Sequence, residues 1–148
     1  HFPLDTNDVV TAWVPAQPVP LEMGPLTFAY PLDVHELVNA VTFEKTGTGY
    51  DRGVSDVFSK NNVSVNETPF ELGEVSFHHN LNFHTASSNR TNRSRVALAN
   101  TYYRDGARVV NAPTMVSGDW QKFMPNVKPG DVAASPLNPI CWPVKDKS

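Results

Sequence analysis

Thirteen prolines in 148 residues limit this chain more than any other feature, since proline is ordinarily about 5% of a sequence. Proline lacks a backbone N–H and clashes with the preceding helical turn, so it interrupts helices and the central strands of sheets. The prolines cluster from Pro3 to Pro31 and from Pro113 to Pro143, with Pro69 alone between them. A long helical bundle is therefore excluded, and two proline-free stretches, 32–68 and 70–112, lie between the clusters. At this length the expectation is a single domain over residues 1–148. A formal charge of −3 leaves no basic footprint for nucleic acid. No run of about 18 apolar residues is present to cross a membrane. The single cysteine, Cys141, excludes an internal disulfide and a cysteine-built zinc cage, which fits a cytoplasmic compartment.

Short strands dominate the pattern. Val9–Val14 and Leu26–Tyr30 are rich in β-formers. Asp33 precedes Val34, Leu37, Val38 and Val41, which repeat at helical spacing, and Val54, Val57 and Phe58 predict a second, shorter helical turn. Gly47-Thr48-Gly49 separates the two as a loop. From residue 72 the period becomes two. Val75, Phe77, His79, Leu81 and Phe83 take one parity, and Ser76, His78, Asn80, Asn82 and His84 the other, so a continuous strand would send them to opposite faces. A further strand over 95–103 places Arg95, Ala97, Ala99, Thr101 and Tyr103 on one face. Asp105-Gly106 and Lys128-Pro129-Gly130-Asp131 are turn signals leading into 107–110 and 132–134. Many short strands with small helices to one side predict a β-sandwich or barrel.

The chemistry-bearing residues crowd one region. Three of the five histidines, His78, His79 and His84, lie within seven residues. Neutral imidazole is the commonest metal ligand, although a lone histidine in a strand more often packs or is solvated. Arg95 opens the next strand, and the small residues Ala97 and Ala99 that share its face leave room for a ligand. Its planar guanidinium suits a carboxylate, whose two oxygens it can bind together. Thr11 and Trp13 share a face of the first strand, where core packing is the expected role and lining a pocket with His78 the alternative. His35 is expected to be solvated, Trp120 and Trp142 to pack, and Cys141 to be structural.

The stretch from Gly73 to His78, then His84, Asn89, Arg95 and Tyr103–Val109, resembles the phytanoyl-CoA dioxygenase family of iron(II)/2-oxoglutarate oxygenases. His84 lies eleven positions before Arg95, which matches the family's spacing from its distal iron ligand to its 2-oxoglutarate arginine. Further likeness lies in Phe2–Trp13, Met23-Gly24-Pro25-Leu26, Lys128–Asp131 and Ser135–Pro139. The resemblance implies a mainly β fold, a double-stranded β-helix or cupin-like jelly roll with one or two short peripheral helices. It implies Fe(II) held in part by His84, 2-oxoglutarate as cosubstrate anchored on Arg95, and O2 and a small organic molecule as partners. The implied reaction hydroxylates an unactivated C–H while 2-oxoglutarate is decarboxylated to succinate.

The family's remaining iron ligands come from an H-x-D motif, and this sequence contains none. The chain opens on His1 rather than methionine, without a signal-peptide pattern. The expectation is the C-terminal portion of the domain, with H-x-D a few residues before His1 in a longer parent and little activity in the 148 residues alone. Two other readings stay open: a non-catalytic jelly-roll binding domain, and a metal cupin using His78 and His84 with a carboxylate such as Glu74. Sequons at Asn62, Asn66, Asn89 and Asn92 are read as chance in a chain rich in Asn, Ser and Thr.

Overall fold

A computed structural model describes residues 3–43, 48–111 and 119–142. The strands are β1 (Val9–Pro15), β2 (Leu26–Tyr30), β3 (Ser64–Glu67), β4 (Ser76–His79), β5 (His84–Ala86) and β6 (Ala97–Tyr103). Helix α1 spans Val34–Val38 and α2 spans Gly49–Asn61. The protein is mainly β, with two three-stranded sheets in the orders β4-β1-β6 and β3-β2-β5. The chain divides into two compact units, Val10–Tyr102 and His1–Val9 with Tyr103–Ser148. Among the described residues no helix is long and apolar enough to cross a membrane.

In the larger unit, β1 lies at the centre of its sheet and runs antiparallel to β4, with Thr11 opposite His78 and Trp13 opposite Ser76. Alternation then puts Thr11, Trp13, Ser76 and His78 on one face. Thr11 and Thr101 hydroxyls meet at 3.0 Å, which assigns Ala97 and Ala99 of β6 to that same face. The opposite face carries Phe77, Leu98 and Tyr102, all exposed. In the second sheet β2 is central and antiparallel to both neighbours, with Phe28 opposite Asn66 on β3 and His84 on β5. Val19, Met23 and Phe70 form the core of this unit, and Trp13, Leu26 and Phe28 pack against it.

Several expectations are corrected. The alternating run from Val75 to His84 is not one strand. Asn82 N–H donates to the His79 carbonyl at 3.0 Å, and Leu81 N–H to His79 Nδ1 at 3.2 Å, closing a turn that carries the chain from one sheet to the other. Strand β3, for which the sequence carries no expectation, has all four residues exposed and pairs with β2, with the Glu67 carboxylate also accepting from the Ser87 hydroxyl at 3.2 Å. Of the helices, α2 is the longer, with 13 residues against five. Its apolar stripe seats Val54 in the interior and sets Phe58 edge-on to Phe83 at 5.7 Å. The loop expected at Gly47–Gly49 lies partly outside the described residues, and Gly49 is already helical. Segments 107–110 and 132–134 meet as isolated bridges rather than strands.

The smaller unit packs Val109, Trp120, Met124 and Ala133 together. The Tyr103 hydroxyl donates to the Ala133 carbonyl at 2.8 Å, and Leu4 bridges to Val109. Trp120 packs as expected, but Trp142 is 84% exposed, and Cys141 is also at the surface, so neither stabilises an interior.

Met23 is fully buried, so Met23→Ala should cost about 2–5 kcal/mol through lost contacts and a residual cavity. Leu72→Ala, at a site 68% exposed, should stay within about 0.5 kcal/mol. Urea denaturation midpoints measure both, and equal effects would contradict this placement of the core.

Candidate functional site

His84 opens β5, an edge strand of its sheet, and its side chain is exposed. Its Nδ1 lies 2.8 Å from the Asn82 carbonyl. A carbonyl can only accept, so Nδ1 carries a proton, and it is Nε2 that has the lone pair in the neutral ring, the tautomer a metal-binding imidazole requires. No sequence signal singled out Asn82 for this part.

His78 reaches the same place from the other sheet. Its ring lies 4.6 Å from that of His84, inclined at 50°, and Phe28 touches both, at 5.3 and 6.2 Å. The two imidazoles therefore meet across a turn, not along one strand. His78 is only 8% exposed, and its Nδ1 has no hydrogen-bond partner among the described residues. Burial, and secondarily the charge of His84, lower the His78 pKa from 6.5 to about 4. His79 is spent on the turn, and the His35 ring in α1 lies 3.0 Å from the Leu32 carbonyl.

Arg95 is half-buried just before β6. Its Nη1 donates to the carbonyls of Met23, at 3.2 Å, and Gly24. Among the described residues it forms no ion pair, and its Nη2 and Nε take no bond. Gly24 makes this approach possible. Its φ is +71°, and a Cβ there would collide with the Ser87 carbonyl and press on the Arg95 guanidinium. The loop before Arg95 is tied down as well. Asn89 donates to the Arg93 carbonyl at 2.7 Å and accepts from Thr91, Arg90 N–H donates to the Glu22 carbonyl at 2.9 Å, and Gln17 donates to the Ser94 carbonyl.

His84 and Arg95 thus address opposite ends of one ladder. His84 sits across from Phe28, Ala86 across from Leu26, and the chain continues to Ser87 beside Gly24, where Arg95 is anchored. His78 stands with His84, and Thr11 sits opposite His78 on the neighbouring strand. Trp13 instead sets its ring edge-on to Phe70 at 5.0 Å and belongs to the core packing. Glu74 accepts from Glu71 N–H at 2.6 Å in a separate turn. Among the described residues no three His, Cys, Asp or Glu side chains gather closely enough to hold a metal by themselves.

The fold is that of non-haem iron, α-ketoglutarate-dependent enzymes of known structure. The carbocyclase SnoK from nogalamycin biosynthesis superposes with a TM-score of 0.64 at 24% identity, covering 92% of this chain and 50% of its own. The epimerase SnoN from the same biosynthesis gives 0.62 at 21% identity, covering 92% and 49%. SnoN in complex with Fe3+, α-ketoglutarate and nogalamycin RO gives 0.51 at 24%, covering 73% and 40%. This chain therefore spans about half the length of the structures it matches. Neither a protein-family model nor a curated protein matches the sequence.

The lowered His78 pKa has a signed consequence. Between pH 6.5 and about 4 the unfolded chain binds a proton at His78 that the folded chain does not. The stability contribution is therefore whole above pH 6.5 and is lost as pH falls toward 4. Thermal unfolding should fall through that window in the wild type and less steeply in His78→Asn. Parallel curves for the two proteins would contradict the burial of this imidazole.

Proposed function

We propose that this chain is the C-terminal portion of an iron(II)- and 2-oxoglutarate-dependent oxygenase of the phytanoyl-CoA dioxygenase family, acting on an unactivated C–H of a small organic substrate. One observation carries the reading: the β2–β5 ladder has at one end a histidine whose Nδ1 is held by a carbonyl and at the other, anchored on the turn before β2, a half-buried arginine with no carboxylate partner among the described residues. An arginine sequestered in this way lacks the counter-charge that partly buried cations ordinarily keep. An elongated diacid supplies it. With one end at His84 and the other at Arg95, such a ligand matches a site whose basic groups stand at opposite ends of the β2–β5 ladder.

In this reading His84 holds the metal through Nε2 while Asn82 fixes the ring. Arg95 takes the far carboxylate through Nη2 and Nε, its Nη1 being held by the Met23 and Gly24 carbonyls. Iron(II), when bound, supplies oxygen activation coupled to the conversion of 2-oxoglutarate to succinate and CO2. The exposed Ala97 and Ala99 leave space on the pocket face, and Thr11 and His78 form its wall. The other two protein ligands, an H-x-D pair, come from outside these 148 residues. The fold neighbours described as a carbocyclase and an epimerase support the same iron and 2-oxoglutarate dependence with different products, and hydroxylation is the outcome proposed for this chain.

The test uses a protein extended to include an H-x-D motif. Arg95→Ala should raise the 2-oxoglutarate concentration needed for half-maximal succinate formation at least tenfold and leave iron content near the wild-type value. That loss corresponds to a charge-assisted hydrogen-bond pair, about 1.5–3 kcal/mol. His84→Ala should lower iron content itself. Normal succinate formation in both variants would overturn the reading.

A further inference from the structure

We propose that His78 is a cosubstrate-binding residue, donating a hydrogen bond from Nδ1 to an oxygen at the keto-acid end of 2-oxoglutarate. The inference rests on the assignment of His84 and Arg95 above and adds a residue to it. A buried imidazole nitrogen without a partner costs about 1–3 kcal/mol, and the surroundings of His78 give no structural reason to accept that cost. The ring contacts with His84 and Phe28 would be made equally well by a phenyl group. Burial is more than nine-tenths, so solvent does not supply the missing bond. Something that occupies the site has to.

The position identifies the chemistry. If Arg95 holds the far carboxylate, the end of the ligand beside His84 is the one bearing the keto and carboxylate oxygens. His78 touches the His84 ring and so stands at that end. Every oxygen there is an acceptor, so Nδ1–H donates. Ser76, two residues earlier on the same face of β4, also has a buried hydroxyl without a partner among the described residues. The pocket side of this strand is thus lined with unused polar groups, while its other side presents exposed Phe77.

Two substitutions separate the ring from the nitrogen. His78→Phe keeps an aromatic ring against His84 and Phe28 but removes Nδ1, and His78→Asn keeps a donor close to the Nδ1 position but removes the ring. Binding of 2-oxoglutarate to the protein extended to include the H-x-D motif is followed by ligand-observed NMR, with 15N-histidine spectra reporting the Nδ1 resonance. The wild type should bind weakly and shift the His78 Nδ1 signal. His78→Phe should bind about tenfold or more weaker, and His78→Asn should stay within about threefold. The reverse order, with Phe tolerated and Asn not, makes His78 a packing residue and overturns the inference. Equal binding by all three, abolished by Arg95→Ala, overturns the inference and leaves the oxygenase reading standing. Failure of the wild type to bind 2-oxoglutarate, or binding indifferent to Arg95→Ala, overturns both.

Discussion

The attachment of the Arg95 guanidinium to the Met23 and Gly24 carbonyls organises the larger unit. One nitrogen of a residue just before β6 fastens that strand's approach to the turn before β2, and so links the lead-in of one sheet to that of the other. The turn can receive it because Gly24 has no side chain and adopts a left-handed conformation, and because Met23 is sunk in the core beneath. Two neighbouring ties, the Arg90 N–H to the Glu22 carbonyl and the Gln17 side-chain amide to the Ser94 carbonyl, hold the loop before Arg95 in place. The guanidinium is thereby oriented by bonds at a single nitrogen, and its other donors take no partner among the described residues. An arginine fixed by protein groups loses little further freedom on binding, which is the usual route to a preorganised carboxylate site.

The imidazole pair is built on a different principle. His84 lies on a three-residue edge strand, where little packing restrains it, and its orientation comes from the Asn82 carbonyl and from contact with two rings. His78 lies on β4, paired to the central β1, and is buried. The exposed partner is the one free to take a ligand, and the buried partner is kept neutral by its surroundings. Phe28, central in the second sheet, touches both and also packs on the Val19–Met23–Phe70 core. The site therefore inherits its rigidity from the hydrophobic core through one aromatic residue.

How much of this was legible in the sequence differs by element. Strands β1, β2 and β6 were readable because β-branched and aromatic residues concentrate there, and the face carried by Ala97, Ala99 and Thr101 was correctly grouped. Strand β3 was not readable: Ser-Val-Asn-Glu has no periodicity, and its place comes from backbone pairing with β2. The run from Val75 to His84 misled because alternation continues unbroken through a turn. That turn is closed by a histidine side chain, which local composition does not announce. Alternation is also customarily read with the apolar side inward, and in β4 the reverse holds: His78 is buried while Phe77 is 71% exposed. Arg95 stands out from its residue type and small neighbours, whereas the choice of His84 as its counterpart comes from the family resemblance. The contact of His78 with His84, the anchoring of Arg95 at Gly24 and the part of Asn82 required tertiary structure. Trp142 and Cys141 were misplaced because an apolar residue near a proline-rich end carries no signal of which side it faces.

The central claim is that one elongated diacid spans from the imidazole pair to the guanidinium along the β2–β5 ladder. A crystal structure of the protein soaked with 2-oxoglutarate tests it most directly. The account predicts one carboxylate within hydrogen-bond distance of the Arg95 nitrogens left free by the Gly24 turn, with the keto-acid end beside His84. Density for the diacid anywhere else, or an Arg95 that turns away to pair with a protein carboxylate, would contradict it.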